Sequence, residues 1–136
     1  MSLVHVEKKL SARLAPMTPV VLAVFRVMFA LLVLVHGTTA LFGWPAGEAA
    51  QFGVWPYWYA GVIEFVCGAL ILVGAATRPA AFLASGTMAF AYFMGHASIS
   101  FWPAVNQGEP AVMACFAFLL LVFTGPGAFA VDNRRG

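Results

Sequence analysis

Four long apolar runs, at 19–42, 55–74, 79–101 and 109–124, separated only by short loops, restrict this chain more than any other feature. A run of about 20 apolar residues is long enough to cross the hydrocarbon of a bilayer, and a helix is the simple structure that satisfies its own backbone there. The rest of the composition agrees. Charged residues make up 9% of the 136 and apolar ones 62%, whereas a soluble domain carries about 25% charged residues to cover its surface. Mean hydropathy is +0.92, so the surface of the fold is expected to face lipid.

The loops hold what helix ends need. Gly43-Trp44-Pro45-Ala46-Gly47 follows the first run, Gly74-Ala75-Ala76-Thr77-Arg78-Pro79 joins the second to the third, and 102–108 precedes the fourth. Short connections make neighbours antiparallel. Lys8, Lys9 and Arg13 precede the first run, Arg78 lies in the second loop, and Arg134 and Arg135 end the chain, while the first and third loops carry no Lys or Arg. The positive-inside rule then predicts an all-α, four-transmembrane-helix antiparallel bundle with both termini cytoplasmic. Trp44, Trp55, Tyr57, Trp58, Tyr59 and Trp102 form an aromatic belt at the outer interface. The expected organisation is a cytoplasmic segment 1–18, a membrane domain 19–126 and a cytoplasmic tail 127–136. A signal peptide is a poorer reading of the first run, which is too long, carries Arg26 and His36, and lacks an A-x-A site.

Basic residues form no array with interleaved aromatics, so no nucleic-acid partner is expected. Cys67 and Cys115 stand singly in apolar runs and suggest neither a disulfide framework nor a zinc site. No phosphate loop, dinucleotide fingerprint or soluble nucleophile constellation is present.

Function is sought among ionisable residues inside the runs, because a charge at mid-membrane costs at least about 2.5 to 3.5 kcal/mol on insertion scales. Arg26 and His36 lie on the first helix, Glu64 on the second and His96 on the third, while Glu109 opens the fourth. Gly61, Glu64 and Gly68 share one stripe, so Glu64 faces a closely packed neighbour. His96 shares a small and polar face with Ser85, Ala89, Tyr92 and Ser100. Arg26, Ala30, Val33 and Gly37 share another, with His36 about a quarter turn away, and the polar groups are expected to converge. Two readings follow: Arg26 pairs with Glu64 as packing glue, or His36, Glu64 and His96, with Glu109 at the entrance, form an outward-opening ligand pocket. Paired axial histidines for haem, or a mononuclear metal held by His and Glu, are weaker options, lacking propionate anchors and ligand spacing.

Arg26, Val35-His36-Gly37 and Leu41-Phe42-Gly43, then the run from Gly61 through Glu64 to Gly74 with its Thr77-Arg78 turn, then His96, Asn106-Gln107-Gly108-Glu109, Gly125-Pro126-Gly127 and Asp132, resemble the pattern of DoxX-type membrane proteins. The likeness spans 25–132, with Pro110 and Cys67 as departures. It implies a four-helix protein of the bacterial inner membrane with polar positions Arg26, His36, Glu64, His96 and Glu109. It also implies association with an oxidoreductase system, with a quinone or lipid-like ligand and other membrane subunits or further copies as partners. The alternative is an assembly subunit that packs against larger complexes and binds no ligand. A transporter is less well supported, since no broken helix or inverted repeat is evident.

Overall fold

The structure, a computed structural model, describes residues 2–135. Among them every regular element is helical: α1 (Leu3–Leu14), a 3-10 turn at Ala15–Met17, α2 (Thr18–Phe42), α3 (Tyr57–Val73), α4 (Thr77–Ala91) continued by a π-helical turn at Tyr92–His96, α5 (Pro103–Asn106), α6 (Glu109–Thr124), and a 3-10 turn at Val131–Arg134. The all-α expectation holds. One helical run, Leu3–Phe42, is long and apolar enough to cross a membrane, and Tyr57–Val73 and Glu109–Thr124 are shorter apolar helices.

Contacts run from α2 to α3, α3 to α4 and α4 to α6, with only a narrow meeting of α2 and α6. Glycines set the closest of these contacts. A methyl group on Gly37 would stand 2.5 Å from the Phe65 backbone nitrogen, one on Gly61 2.7 Å from Ala40 Cβ, and one on Gly68 3.0 Å from Leu34 Cα. Matched positions rise along α2 as they fall along α3, so the pair is antiparallel. The α4–α6 pair is antiparallel too: Arg78 reaches the carbonyls of Val122 and Phe123, and Ser85 Oγ donates to the Cys115 carbonyl at 2.8 Å.

Small side chains fill much of the core, in which Ala30, Ala80, Ala81 and Ala84 pack with Val33, Cys67, Ile71, Met88, Phe118 and Leu121. Large apolar side chains point outward instead, among them Val24, Leu32, Phe82, Phe116 and Phe123. Lipid offers no hydrophobic drive between helices, so close backbone approach through small residues holds them together.

One expectation about the elements is corrected, and one helix is added. The third run was expected over 79–101, but regular helix ends at Ala91 and the π turn at His96, after which the chain doubles back. Residues 3–14, for which no element was predicted, form a helix that buries nothing.

Candidate functional site

Arg26 is 2% exposed, yet its guanidinium does not meet Glu64. It donates to the carbonyls of Pro126, of Ala128 at 3.1 Å and of Phe129 at 3.5 Å, while its Nε has no partner. Gly74, at the end of α3, leaves the space for this arm: its Cβ would stand 3.3 Å from Arg26 Cζ. Ten residues at about 1.5 Å each put Glu64 about 15 Å further along α3, so the Arg26–Glu64 pair of the first of the two readings is absent. The residues beside Arg26 close the same end of the bundle. Asp132 accepts from the amides of Ala76 at 2.7 Å and Thr77 at 2.9 Å, capping the first turn of α4. Chiefly the Thr77 amide, helped by the Ala76 amide and by Arg135, holds this carboxyl below the ordinary carboxylate range despite some desolvation. Arg78, in that same first turn, satisfies the last carbonyls of α6.

A second knot closes the opposite end. Asn106 is 2% exposed; its amide donates to the Ser100 carbonyl at 2.7 Å and to the Tyr92 hydroxyl at 3.2 Å, and its Oδ1 accepts from the Gly108 amide at 2.7 Å. Tyr92 in turn donates to the Phe101 carbonyl. His96 Nδ1 lies 3.0 Å from the Asn106 carbonyl. A carbonyl only accepts, so Nδ1 carries the hydrogen of this bond. The π turn aims these groups, since its wider i→i+5 winding sets Tyr92 and His96 on one side, with their rings stacked at 6.3 Å between centroids. Beside the knot, between α4 and α6, lies an apolar cavity of about 420 Å³ bordered by Met88, Tyr92, Phe101, Trp102, Val112 and Cys115.

Between the two knots stands Glu64, 8% exposed, at the level where Gly37 of α2 meets Phe65. The expectation that it faces protein is met. Its carboxyl makes no hydrogen bond to the described residues, whereas the buried side chains of Arg26, Ser85 and Asn106 do; the fully buried Thr77 hydroxyl is likewise without a partner. His36 shares that level, but it is exposed, about 100° around α2 from the buried Gly37. Glu109 is exposed on the first turn of α6. The expected convergence of all the polar groups is therefore corrected: Arg26 serves one end, His96 the other, and only His36 and Glu64 share a depth. No group of three or more His, Cys, Asp or Glu able to hold a metal ion occurs among the described residues.

Asn106 and Tyr92 were not singled out as site residues, and the only hints lay in their neighbours. Tyr92 falls on the His96 stripe, and Asn106 opens the Asn106-Gln107-Gly108-Glu109 segment.

The sequence model of the DoxX family matches residues 21–97, which include the α2–α3 seam, Glu64 and the π turn. A Haemophilus influenzae protein, described as an uncharacterized protein, is 38% identical over 122 residues, covering 85% of this chain and 91% of its own length. No solved structure matches the chain. The family match over more than half of the chain, the relative and the helical architecture together make this chain a membrane protein of the DoxX family.

Proposed function

We propose that this protein is a multi-pass subunit of an oxidoreductase system in a bacterial inner membrane, holding a quinone or lipid-like ligand against Glu64 in the outer half of its bundle. In this reading α2, α3, α4 with its π turn, and α6 are the four spans, and both termini are cytoplasmic. The grouping of Lys8, Lys9, Arg13, Arg78, Arg134 and Arg135 at one end supports the orientation, as do Trp44, Trp55, Trp58 and Trp102 at the other.

One observation carries the ligand: a buried glutamate on the close-packed α2–α3 seam whose carboxyl has no protein partner and is not fully shut off from its surroundings. Such a group is costly unless something hydrogen-bonds to it or exchanges its proton, and a quinone carbonyl or a headgroup hydroxyl does either. His36, exposed at the same depth on α2, would flank the ligand. Arg26 and His96 contribute by fixing the loops at the two ends, and Glu109 stands at the outer entrance.

The test is the ligand content of purified protein in mild detergent, measured by solvent extraction and mass spectrometry for wild type, Glu64→Gln and His36→Ala. Near-stoichiometric quinone or lipid in wild type, lost in a Glu64→Gln protein of unchanged thermal stability, supports the proposal. The alternative of an assembly subunit without a ligand is favoured by one feature, the commitment of Arg26 and His96 to backbone carbonyls. Empty wild-type protein, together with loss of partner subunits on substitution of outward faces, would establish it.

A further inference from the structure

Helical backbone runs from Leu3 to Phe42 without interruption, a length of 40 residues. At about 1.5 Å per residue that is about 60 Å, twice the roughly 30 Å of bilayer hydrocarbon. The 25 residues of α2 already account for one crossing. The 12 residues of α1 therefore extend about 18 Å beyond it, on the side where Ala128 N–H donates to the Pro19 carbonyl and the tail carrying Arg134 and Arg135 ends.

The two faces of α1 have opposite chemistry. Leu3, Val6, Leu10, Leu14 and Met17 fall within about 40° of one line along it, and all are exposed. His5, Lys8, Lys9 and Ala12 occupy the far side, with Val4 among them, and Glu7 and Arg13 lie on the two flanks. Nothing in the protein covers the apolar line, since α1 buries no residue. Standing out in water, that line is unfavourable; laid into a membrane interface it is satisfied. The joint permits the turn. Pro16 and Pro19 lack N–H groups, so two intrahelical bonds are missing where the 3-10 turn Ala15–Met17 links α1 to α2.

We propose that α1 lies along the inner leaflet, its apolar line sunk to the level of the upper acyl chains and its basic residues on anionic lipid headgroups. Charge complementarity selects this occupant. Residues 2–14 carry Lys8, Lys9 and Arg13 against Glu7 alone, and Arg134 and Arg135 add to the positive field at the same end. A second copy would bring the same basic groups together, on a helix of only 12 residues. The inference rests on α2 being inserted in a membrane.

The full chain is reconstituted at one copy per nanodisc, in phosphatidylcholine alone or with three parts in ten of phosphatidylglycerol, and treated with a water-soluble maleimide. The wild type, whose Cys67 is buried and Cys115 half-buried, sets the background. Leu10→Cys reports the apolar line, Ala12→Cys the basic side, and Leu32→Cys the middle of α2. Neither α1 variant touches the core. With phosphatidylglycerol, Leu10→Cys is expected to react at least tenfold more slowly than Ala12→Cys, and the difference shrinks in phosphatidylcholine alone or after Lys8→Glu/Lys9→Glu. Equal fast reaction of Leu10→Cys and Ala12→Cys in both lipids overturns the proposal, and so does protection of Leu10→Cys that is the same in both. Protection found only in discs holding two copies, with cross-linking on oxidation, also overturns it and gives the face to a second copy. Fast reaction of Leu32→Cys would instead refute the insertion of α2, which separates the two failures.

Discussion

Replacing Asp132 tests whether the tail of this protein is part of its fold. Ala76, the residue before α4, sits in the left-handed region at φ 47° and has no side chain able to cap the helix, so the first amides depend on a carboxylate 55 residues further on for one and 56 for the other. Asp132→Ala leaves both amides without that acceptor, and Thr77 is fully buried. Loss of such a cap costs about 1 to 2 kcal/mol, nearer the lower figure here because the carboxyl itself is partly open to water. A change of that size is a factor of about 5 to 30 in an opening equilibrium, so hydrogen exchange at the Ala76 and Thr77 amides should speed up by that much in detergent-purified protein. Asp132→Asn keeps one acceptor oxygen and should lose less. The pH dependence has a definite sign: a carboxyl held low by folding contributes stability above its unfolded value near about 3.9, and that contribution disappears as pH falls through the folded value. Wild-type protection of α4 should therefore drop in strong acid while the Asp132→Asn protein shows no matching step. Unchanged exchange at Ala76 and Thr77 in Asp132→Ala would refute the capping argument.

Three further perturbations separate the packing from the knots. Gly37→Ala should cost about 1 to 3 kcal/mol in thermal unfolding, since its methyl group meets Phe65 backbone, whereas Gly86→Ala, with open space around it, should be neutral or gain up to about 1 kcal/mol. Asn106→Ala should cost about 2 to 3 kcal/mol and expose the amides of 100–108 to exchange, because several groups lose their partner together, while Tyr92→Phe should cost about 1 kcal/mol. Arg26→Lys should destabilise by about 2 kcal/mol or more despite keeping its charge, as a single ammonium does not reproduce the fork that reaches three carbonyls; wild-type stability in that variant would contradict the assignment.

What was legible in the sequence is what periodicity and turn chemistry encode. The fourth run, 109–124, coincides with α6, and the first begins within a residue of α2, because Gly43 and Gly125 stop those helices and prolines start them. The Gly61–Glu64–Gly68 stripe was readable for the same reason, since i−3 and i+4 positions share a face. The third run was overextended because apolar residues continue through Phe93 and Met94 into Ile99 and Phe101, and hydropathy does not register a π turn. α1 was missed because its three basic residues mark the segment as a flank, although Leu3, Val6, Leu10 and Leu14 keep a helical period. Arg26 defeated the reading of the site for a geometric reason: its long arm carries the charge away from mid-membrane toward the end of the bundle, so the position of its Cα misplaces its guanidinium. Asn106 acts from a four-residue helix in a loop, where no period exists to be read.

The tail that caps α4 also places a constraint on biosynthesis. Arg26 is among the earliest membrane residues to be made, yet its acceptors, Pro126, Ala128 and Phe129, are about a hundred residues behind it, and the cap of α4 waits for Asp132. Until those residues emerge, one end of the bundle is held by a guanidinium and two amides without their partners, a state that water or lipid phosphates must stabilise in the interval. Closure of this end of the bundle thus waits for residues 126–132. A tag fused well beyond Asp132 leaves that closure intact, whereas a fusion replacing 126–132 would leave the helices assembled around an open seam.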